Sequence, residues 1–194
     1  MAIEREILFT GVGGQGVQLA AQVLARAAVL EGRHVMLLGT YGGTMRGGNT
    51  DATLVVADAP ISTPPIVSRA WALCAMHHQF FAPLRGKLRD GSLVLVNSSV
   101  FQAPLDRDAW QVFDVPAGAR AAELGSPVVG AMVLIGAFAR ITRVVALASL
   151  EEAMGACVPS YRRQHVETNE RALRAGFELA QDDAAPAWRA EQAA

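Results

Sequence analysis

A cluster of glycines between an apolar run and a helical pattern is the feature that most constrains how this sequence folds. Ile3–Thr10 is a short apolar run typical of a buried strand, and Gly11–Gly16 (GVGGQG) predicts a tight turn directly after it. Gln15–Leu30 then places small apolar residues at helical spacing, Gly32 ends that helix, and His34–Leu38 predicts a second strand. A strand–helix–strand unit of this length predicts a right-handed parallel crossover.

The rest of the chain continues this alternation and then becomes helical. Apolar runs predict further strands at Ala52–Ala57, Ala70–Met76, Ser92–Val96 and Trp110–Val115. Helical spacing predicts helices at Gln79–Leu88, Ala117–Leu124, Val129–Ile141, Ser149–Cys157 and Ser160–Gln181. Ser149 and Glu152 have the spacing of a capping box. The pattern predicts an α/β fold: a doubly wound, mostly parallel sheet with helices on both faces and a helical C-terminal part.

Length and composition indicate one folded unit. The 194 residues fit a single α/β domain over 1–181, followed by a polar, Ala-rich tail over 182–194 in which Trp188 is the expected anchor. Hydrophobic residues make up 52% and charged residues 18% of the chain, a balance that excludes a disordered protein. The net charge of −1 lacks the excess of basic residues that nucleic-acid binding requires, so no nucleic-acid partner is expected.

The cysteines and the apolar stretches bear on where the protein works. Cys74 and Cys157 are far apart in sequence, which predicts neither a disulfide framework nor a metal cluster and favours a reducing, cytoplasmic compartment. The amino terminus lacks the apolar core of a signal peptide. The charge-free stretches Ile7–Ala25 and Leu124–Ala139 are interrupted by glycines, so we expect no membrane span.

The glycine turn has the G-x-G-x-x-G pattern of phosphate-binding loops. Free amides at the start of a helix favour a phosphate or a carboxylate. A dinucleotide site also needs an acidic residue about 20 positions later, and Leu38–Tyr41 supplies none. A P-loop is excluded because no Gly-Lys-Ser/Thr follows the turn. Three interpretations remain: a dinucleotide site, a site for another anion, and a purely structural turn.

A second glycine-rich segment, Gly39–Asp51 (GTYGGTMRGGNTD), follows the second predicted strand. It leaves the same edge of the sheet as the glycine turn, where open α/β sheets place their sites. Arg46 beside Gly47 and Gly48 could present a guanidinium and free amides to a carboxylate or phosphate. Alternatively, the segment is a flexible loop whose arginine packs against a partner subunit.

Three motifs together resemble one family. GVGGQG at the turn, YGGTMRGG in the second segment and NERALRAG near the end (Asn169, Ala172, Gly176) are similar to the gamma subunit, or gamma domain, of 2-oxoacid:ferredoxin (acceptor) oxidoreductases. The family includes pyruvate, 2-oxoisovalerate, 2-oxoglutarate, indolepyruvate and phenylglyoxylate oxidoreductases. The resemblance covers Ile7 to Leu179. Members often carry an acidic residue or Gln before the arginine, where this chain has Met45.

The resemblance implies a division of labour within a complex that converts a 2-oxoacid to an acyl-CoA and passes electrons to ferredoxin or another acceptor. Thiamine diphosphate and Mg²⁺ lie between the alpha and beta subunits, and iron–sulfur clusters lie in beta or in a further iron–sulfur subunit. The resemblance implies a gamma subunit that holds no cofactor or catalytic residue and packs on its partners, and that in some members helps to cover coenzyme A. A free-standing, Rossmann-type nucleotide-binding oxidoreductase is the alternative.

The candidate contacts with coenzyme A or with partner subunits belong to the two glycine-rich segments. They are Gly11, Gly13, Gly14, Gln15, Gly16, Arg46, Gly47, Gly48 and Asn49. No catalytic or metal-binding residue is expected.

Other conspicuous residues have structural interpretations. Cys74 and Cys157 read as inert, and His77–His78 as a structural pair after a strand. Asn97 is a weak contact candidate, whereas Ser98–Ser99 more often cap a turn. The small residues Gly130, Ala131, Gly136 and Ala137 predict close helix packing, and the charged side chains of the last predicted helix indicate a solvated or subunit-facing surface.

Overall fold

A computed structural model describes residues 2–41, 47–62, 66–181 and 184–188. Within these ranges the chain forms one six-stranded sheet in the order β2-β3-β1-β4-β5-β6. The strands are β1 (Glu4–Val12), β2 (His34–Tyr41), β3 (Asn49–Ala57), β4 (Ala70–Ala75), β5 (Leu88–Asn97) and β6 (Gln111–Val115). β1, β4, β5 and β6 are parallel, whereas β3 runs antiparallel to both of its neighbours. β1 and β2 therefore run in the same direction, with β3 inserted between them.

The helices follow the predicted order with shifted ends. They are α1 (Val17–Leu30), α2 (Ala82–Arg85), α3 (Ala117–Glu123), α4 (Gly130–Thr142), α5 (Leu147–Cys157) and α6 (Val166–Leu179). Two 3₁₀ helices, Pro127–Val129 and Ser160–His165, precede α4 and α6. No helix in the described part of the chain is long and apolar enough to cross a membrane.

The α/β class, the mostly parallel sheet and the helical C-terminal part are confirmed, but the helices are unevenly divided between the two faces. α1, α4, α5 and α6 bury one large apolar core against one face, where Ile7, Phe9 and Leu54 point. The opposite face carries a smaller core around Leu8, Val94 and α2, closed mainly by loop side chains. Helices therefore lie on both faces, as predicted, although within the described ranges the opposite face carries only the single turn of α2.

The helix predicted at Gln79–Leu88 is wrong except for the single turn of α2. Pro83 lacks the amide that a helix interior needs, and it lies in the first turn of α2. Phe81 precedes this turn and is buried in the second core. β5 already begins at Leu88. The segment is therefore a compact connection rather than a full helix.

Two predicted helix starts also differ from the structure. Ser149 is the third residue of α5 and makes no capping hydrogen bond, so the predicted capping box is wrong. The residue before α5, Ala146, instead donates its amide to Oε1 of Glu31 over 2.7 Å. The long C-terminal helix begins at Ser160 as a 3₁₀ helix and becomes α-helical only at Val166.

Helices α4 and α6 pack closely because each contributes a glycine that lies directly against the backbone of the other helix. A Cβ atom on Gly136 would overlap the carbonyl oxygen of Leu173, and one on Gly176 would overlap the carbonyl oxygen of Val133. Ala172, one turn before Gly176, is fully buried in the same contact region. The close packing predicted from the small residues is an intramolecular helix contact that fixes the C-terminal part against the core.

The described part of the C-terminal segment returns to the body of the protein. Trp188 is 8% exposed, and its indole Nε1 donates to the carbonyl oxygen of Val144 over 2.9 Å. The guanidinium of Arg33 lies 4.2 Å from the centre of the indole ring. Ala187 adds a main-chain hydrogen bond to Thr142. Trp188 thus has the anchoring contacts expected for it.

Candidate functional site

The glycine turn links β1 to α1 through backbone that favours glycine. Gly14 and Gly16 have φ of 105° and 79°, in the left-handed region. Gly11 is required for a different reason, since a Cβ atom there would lie 2.7 Å from Cγ2 of Val17 and 2.8 Å from Oε1 of Gln15. The turn therefore brings the start of α1 directly against the end of β1.

Gln15 holds the turn from inside. Its side-chain Oε1 accepts a hydrogen bond from the amide of Val12 over 2.8 Å, and its own amide donates to the carbonyl oxygen of Val12 over 3.1 Å. Both ends of the loop are thereby clamped by one residue. The side-chain oxygen of Gln15 is used within the turn, so the contacts that the turn can offer a ligand are hydrogen-bond donors: main-chain amides and Nε2 of Gln15.

The two glycine-rich segments meet, as the sequence predicted from their position at one edge of the sheet. The amide of Gly13 donates to the carbonyl oxygen of Gly48 over 2.8 Å, and the amide of Gly47 donates to the carbonyl oxygen of Gly13 over 3.3 Å. Gly47 also has a positive φ of 77°. Arg46, the predicted cation of this segment, lies outside the described residues.

Gln18 and Asp51, which were not among the predicted site residues, connect this edge to α1. Gln18, in the first turn of α1, donates from Nε2 to the carbonyl oxygen of Asp51 over 2.6 Å. Asn49, a predicted site residue, donates from Nδ2 to Oδ2 of Asp51 over 2.8 Å. Asp51 was the last residue of the predicted loop Gly39–Asp51. Because β3 begins at Asn49, Asn49 and Asp51 both belong to that strand.

An open cleft of ≈ 490 Å³ lies beside the glycine turn. Its lining includes Gly14, Gly16 and Gln18 from the turn and the start of α1, together with Arg162, His165 and other residues around the start of α6. Arg162 was predicted to lie on a solvated or subunit-facing surface, and it is exposed and lines the cleft. The first amides of a helix have no partner within it, so a cleft lined by the start of α1 and by an arginine is suited to an anionic ligand.

The remaining polar candidates lie at the ends of β4 and β5 and have structural partners. The rings of His77 and His78 stack with centroids 4.4 Å apart, and Nδ1 of His78 contacts the carbonyl oxygen of Val100 at 3.0 Å. Partial burial, and to a lesser extent electrostatic repulsion from His78, lower the pKa of His77. Asn97 is buried and Ser99 accepts a hydrogen bond from the amide of Ala119, so both brace the start of α3.

The cysteines do not combine with other ligands. Cys74 is buried in the main core, where desolvation raises the pKa of its thiol, and Cys157 is partly buried, with its thiol pKa raised by desolvation and lowered to a lesser extent by Arg26. Among the described residues, no three His, Cys, Asp or Glu side chains lie close enough together to hold a metal ion. These residues therefore do not fit an iron–sulfur cluster, which needs several cysteine ligands.

The fold and this edge define a class of protein: an α/β domain that presents a glycine-rich, main-chain surface beside an open cleft. The family model for pyruvate ferredoxin/flavodoxin oxidoreductase matches residues 6–179, and the chain belongs to this family.

Individual relatives agree with this assignment. The chain is 35% identical to 2-oxoglutarate synthase subunit KorC of Methanothermobacter thermautotrophicus, over 91% of this chain and 95% of the relative. It is 29% identical to the pyruvate/ketoisovalerate oxidoreductases common subunit gamma of Thermococcus litoralis, over 89% and 95%. The crystal structure of the keto/oxoacid ferredoxin oxidoreductase gamma subunit from Geobacter sulfurreducens superposes with a TM-score of 0.75 and 28% identity, over 91% of this chain and 98% of that one. The predicted family, a gamma-type subunit of 2-oxoacid:ferredoxin oxidoreductases, is confirmed.

Proposed function

We propose that this chain is the cofactor-free gamma subunit of a cytoplasmic complex that oxidatively decarboxylates a 2-oxoacid to an acyl-CoA. The complex would use thiamine diphosphate, Mg²⁺ and iron–sulfur clusters held by alpha, beta and iron–sulfur subunits, and would reduce ferredoxin or another acceptor. 2-Oxoglutarate is the first substrate to assay, because a relative at 35% identity is named for it.

The glycine-rich edge is the part of this chain that we assign to coenzyme A or to the thiamine-binding subunits. The observation that carries this assignment is the pairing of Gly13 with Gly48, which joins both motifs into one surface beside the cleft. Main-chain amides at the start of α1 and the guanidinium of Arg162 suit the phosphate groups of coenzyme A. The described residues thus suit an anionic ligand, and this edge of the chain would serve as a surface that covers it.

Assembly is tested by purifying the native complex through a tag on this chain and identifying every co-purifying subunit by mass. Recovery of thiamine-binding and iron–sulfur subunits supports the proposal. Recovery of this chain alone, or turnover of a 2-oxoacid by the isolated chain, contradicts it.

The site assignment is tested in the assembled complex with Arg46→Ala, using Arg69→Ala as a matched control on an exposed loop residue. Arg46→Ala should raise the apparent KM for coenzyme A, while Arg69→Ala should leave it unchanged. Unchanged kinetics and assembly in Arg46→Ala would remove this loop from the site.

Calorimetry with NAD(P)H addresses the alternative function, since micromolar binding by the isolated chain would favour a Rossmann-type nucleotide-binding oxidoreductase.

A further inference from the structure

Three side-chain oxygens near the glycine turn are shielded from solvent and make no hydrogen bond with the described residues. They are Oγ1 of Thr10, Oδ1 of Asn49 and Oδ1 of Asp51. Thr10 is fully buried, and Asn49 and Asp51 are partly buried. A buried polar atom without a partner costs about 1–3 kcal/mol, so three of them in one region indicate that the site has a further occupant.

The strand register places these three side chains together. Thr10 of β1 and Asp51 of β3 are direct antiparallel partners, and such partners have Cβ atoms about 4.5–5.5 Å apart. Asn49 lies two residues before Asp51 on the same face of β3, and its Nδ2 donates to the other carboxylate oxygen of Asp51 over 2.8 Å. This face is opposite to the one that packs on α1. Leu8, two residues before Thr10 and therefore on the same face of β1, belongs to the second core.

The chemistry of the three atoms selects the kind of occupant. A carboxylate oxygen, an amide carbonyl oxygen and a hydroxyl oxygen are the ligands that hard cations prefer. A lysine or arginine from a partner subunit would need an opening through which to reach them, whereas the three oxygens are shielded from solvent. A metal ion that loses water at these positions suits the oxygen ligands and is also small enough for a shielded site.

We propose that Thr10, Asn49 and Asp51 form a binding site for a divalent, oxygen-seeking cation of the Mg²⁺ or Ca²⁺ class. The site ties the end of β1 to the start of β3, immediately below the pairing of Gly13 with Gly48. Because the carbonyl oxygen of Asp51 also accepts from Gln18, the bound ion would fix α1 to the same strand. The ion would thereby order the glycine-rich edge, whichever ligand or subunit that edge contacts.

Isothermal titration of the full-length, chelator-treated chain with MgCl₂ and with CaCl₂, at constant ionic strength, tests this site. We expect saturable binding of one ion per chain for at least one of the two salts. Asp51→Asn, which removes charge without changing shape, should weaken binding at least tenfold, and Thr10→Val should weaken it several-fold. The control Asp108→Asn, at an exposed carboxylate remote from the site in the fold, should bind like the unaltered chain.

Hydrogen exchange provides a second measurement that does not depend on activity. The cation should slow amide exchange in residues 10–18 and 47–53 of the unaltered chain but not of the Asp51→Asn variant, provided that circular dichroism shows both to be folded. Absence of binding with both salts, or equal affinity in Asp51→Asn, overturns the proposal.

Discussion

The amide of Gly13 donates to the carbonyl oxygen of Gly48 over 2.8 Å, although 35 positions separate the two residues in the chain. This bond extends the pairing of β1 with β3 beyond Val12 and Asn49, the last pair of the ladder. The two glycine-rich motifs are consequently one structural unit. A change in the conformation of either motif should therefore alter the conformation of the other.

Gly14→Ala should strain this unit without creating a clash. The φ of 105° at Gly14 is unfavourable for a residue with a Cβ atom, although the space around it is open. We expect a loss of about 1–2 kcal/mol in the free energy of unfolding, measured by urea denaturation. Gly86→Ala is the matched control, since Gly86 has φ of −69° and equally open surroundings. Equal stability of the two variants would contradict a backbone role for Gly14.

The contact between α4 and α6 makes Gly176 intolerant of even one added methyl group. Its Cβ atom would overlap the carbonyl oxygen of Val133, so the helices would have to separate. Gly176→Ala should lower the free energy of unfolding by about 1–3 kcal/mol. Gly155→Ala, in α5 with nothing near its added methyl group, should raise it by about 0.5–1 kcal/mol because alanine favours the helix. Chemical denaturation of both variants measures the opposite signs, and destabilisation of similar size in both would argue against the close helix contact.

The features that sequence reasoning predicted well depend on local chemistry. Gly11–Gly16 identifies the turn because it needs glycine conformations next to a strand, and Gly136 identifies a close helix contact because it lacks a side chain. Both signals are contained in a few neighbouring residues. The family resemblance likewise rests on short motifs, the glycine turn among them, and for that reason the sequence was sufficient to assign the chain to the family.

The features that sequence reasoning missed depend on pairing between segments that are distant in the chain. β3 lies antiparallel between β1 and β2 because of hydrogen bonds to both, which extend the strand to the polar residues Asn49, Thr50 and Asp51. The spacing of Ser149 and Glu152 resembled a helix start, but the contact of Ala146 with Glu31, 115 residues away, is made before that point. Gln18 and Asp51 are likewise brought together only by the tertiary fold.

Asn97 should be more important for stability than its exposed neighbour Ser99. Nδ2 of Asn97 donates to the carbonyl oxygen of Met76 over 3.3 Å, and Oδ1 accepts from the amide of Gly118 over 2.9 Å, so one buried side chain joins β4, β5 and α3. Asn97→Ala leaves both groups without this partner and should cost about 1–3 kcal/mol in thermal or urea unfolding. Ser99→Ala removes a capping bond to Ala119 and should cost about 1 kcal/mol or less. A larger loss in Ser99→Ala than in Asn97→Ala would refute this ranking.

The two thiols should differ sharply in their reaction with iodoacetamide. Only the thiolate reacts, and burial raises the pKa of both thiols, so at pH 7–8 each should be less ionised than an exposed cysteine. Cys157 is partly exposed at the cleft, so its alkylation should rise with pH and level off at a higher pH than that of a small model thiol. Cys74 has no access to solvent and should be modified only when the protein unfolds. Peptide mapping by mass spectrometry over a pH series measures both rates, with Cys157→Ser and a urea-unfolded sample as controls; alkylation of Cys74 in the folded protein at the unfolded rate would show that it is not buried.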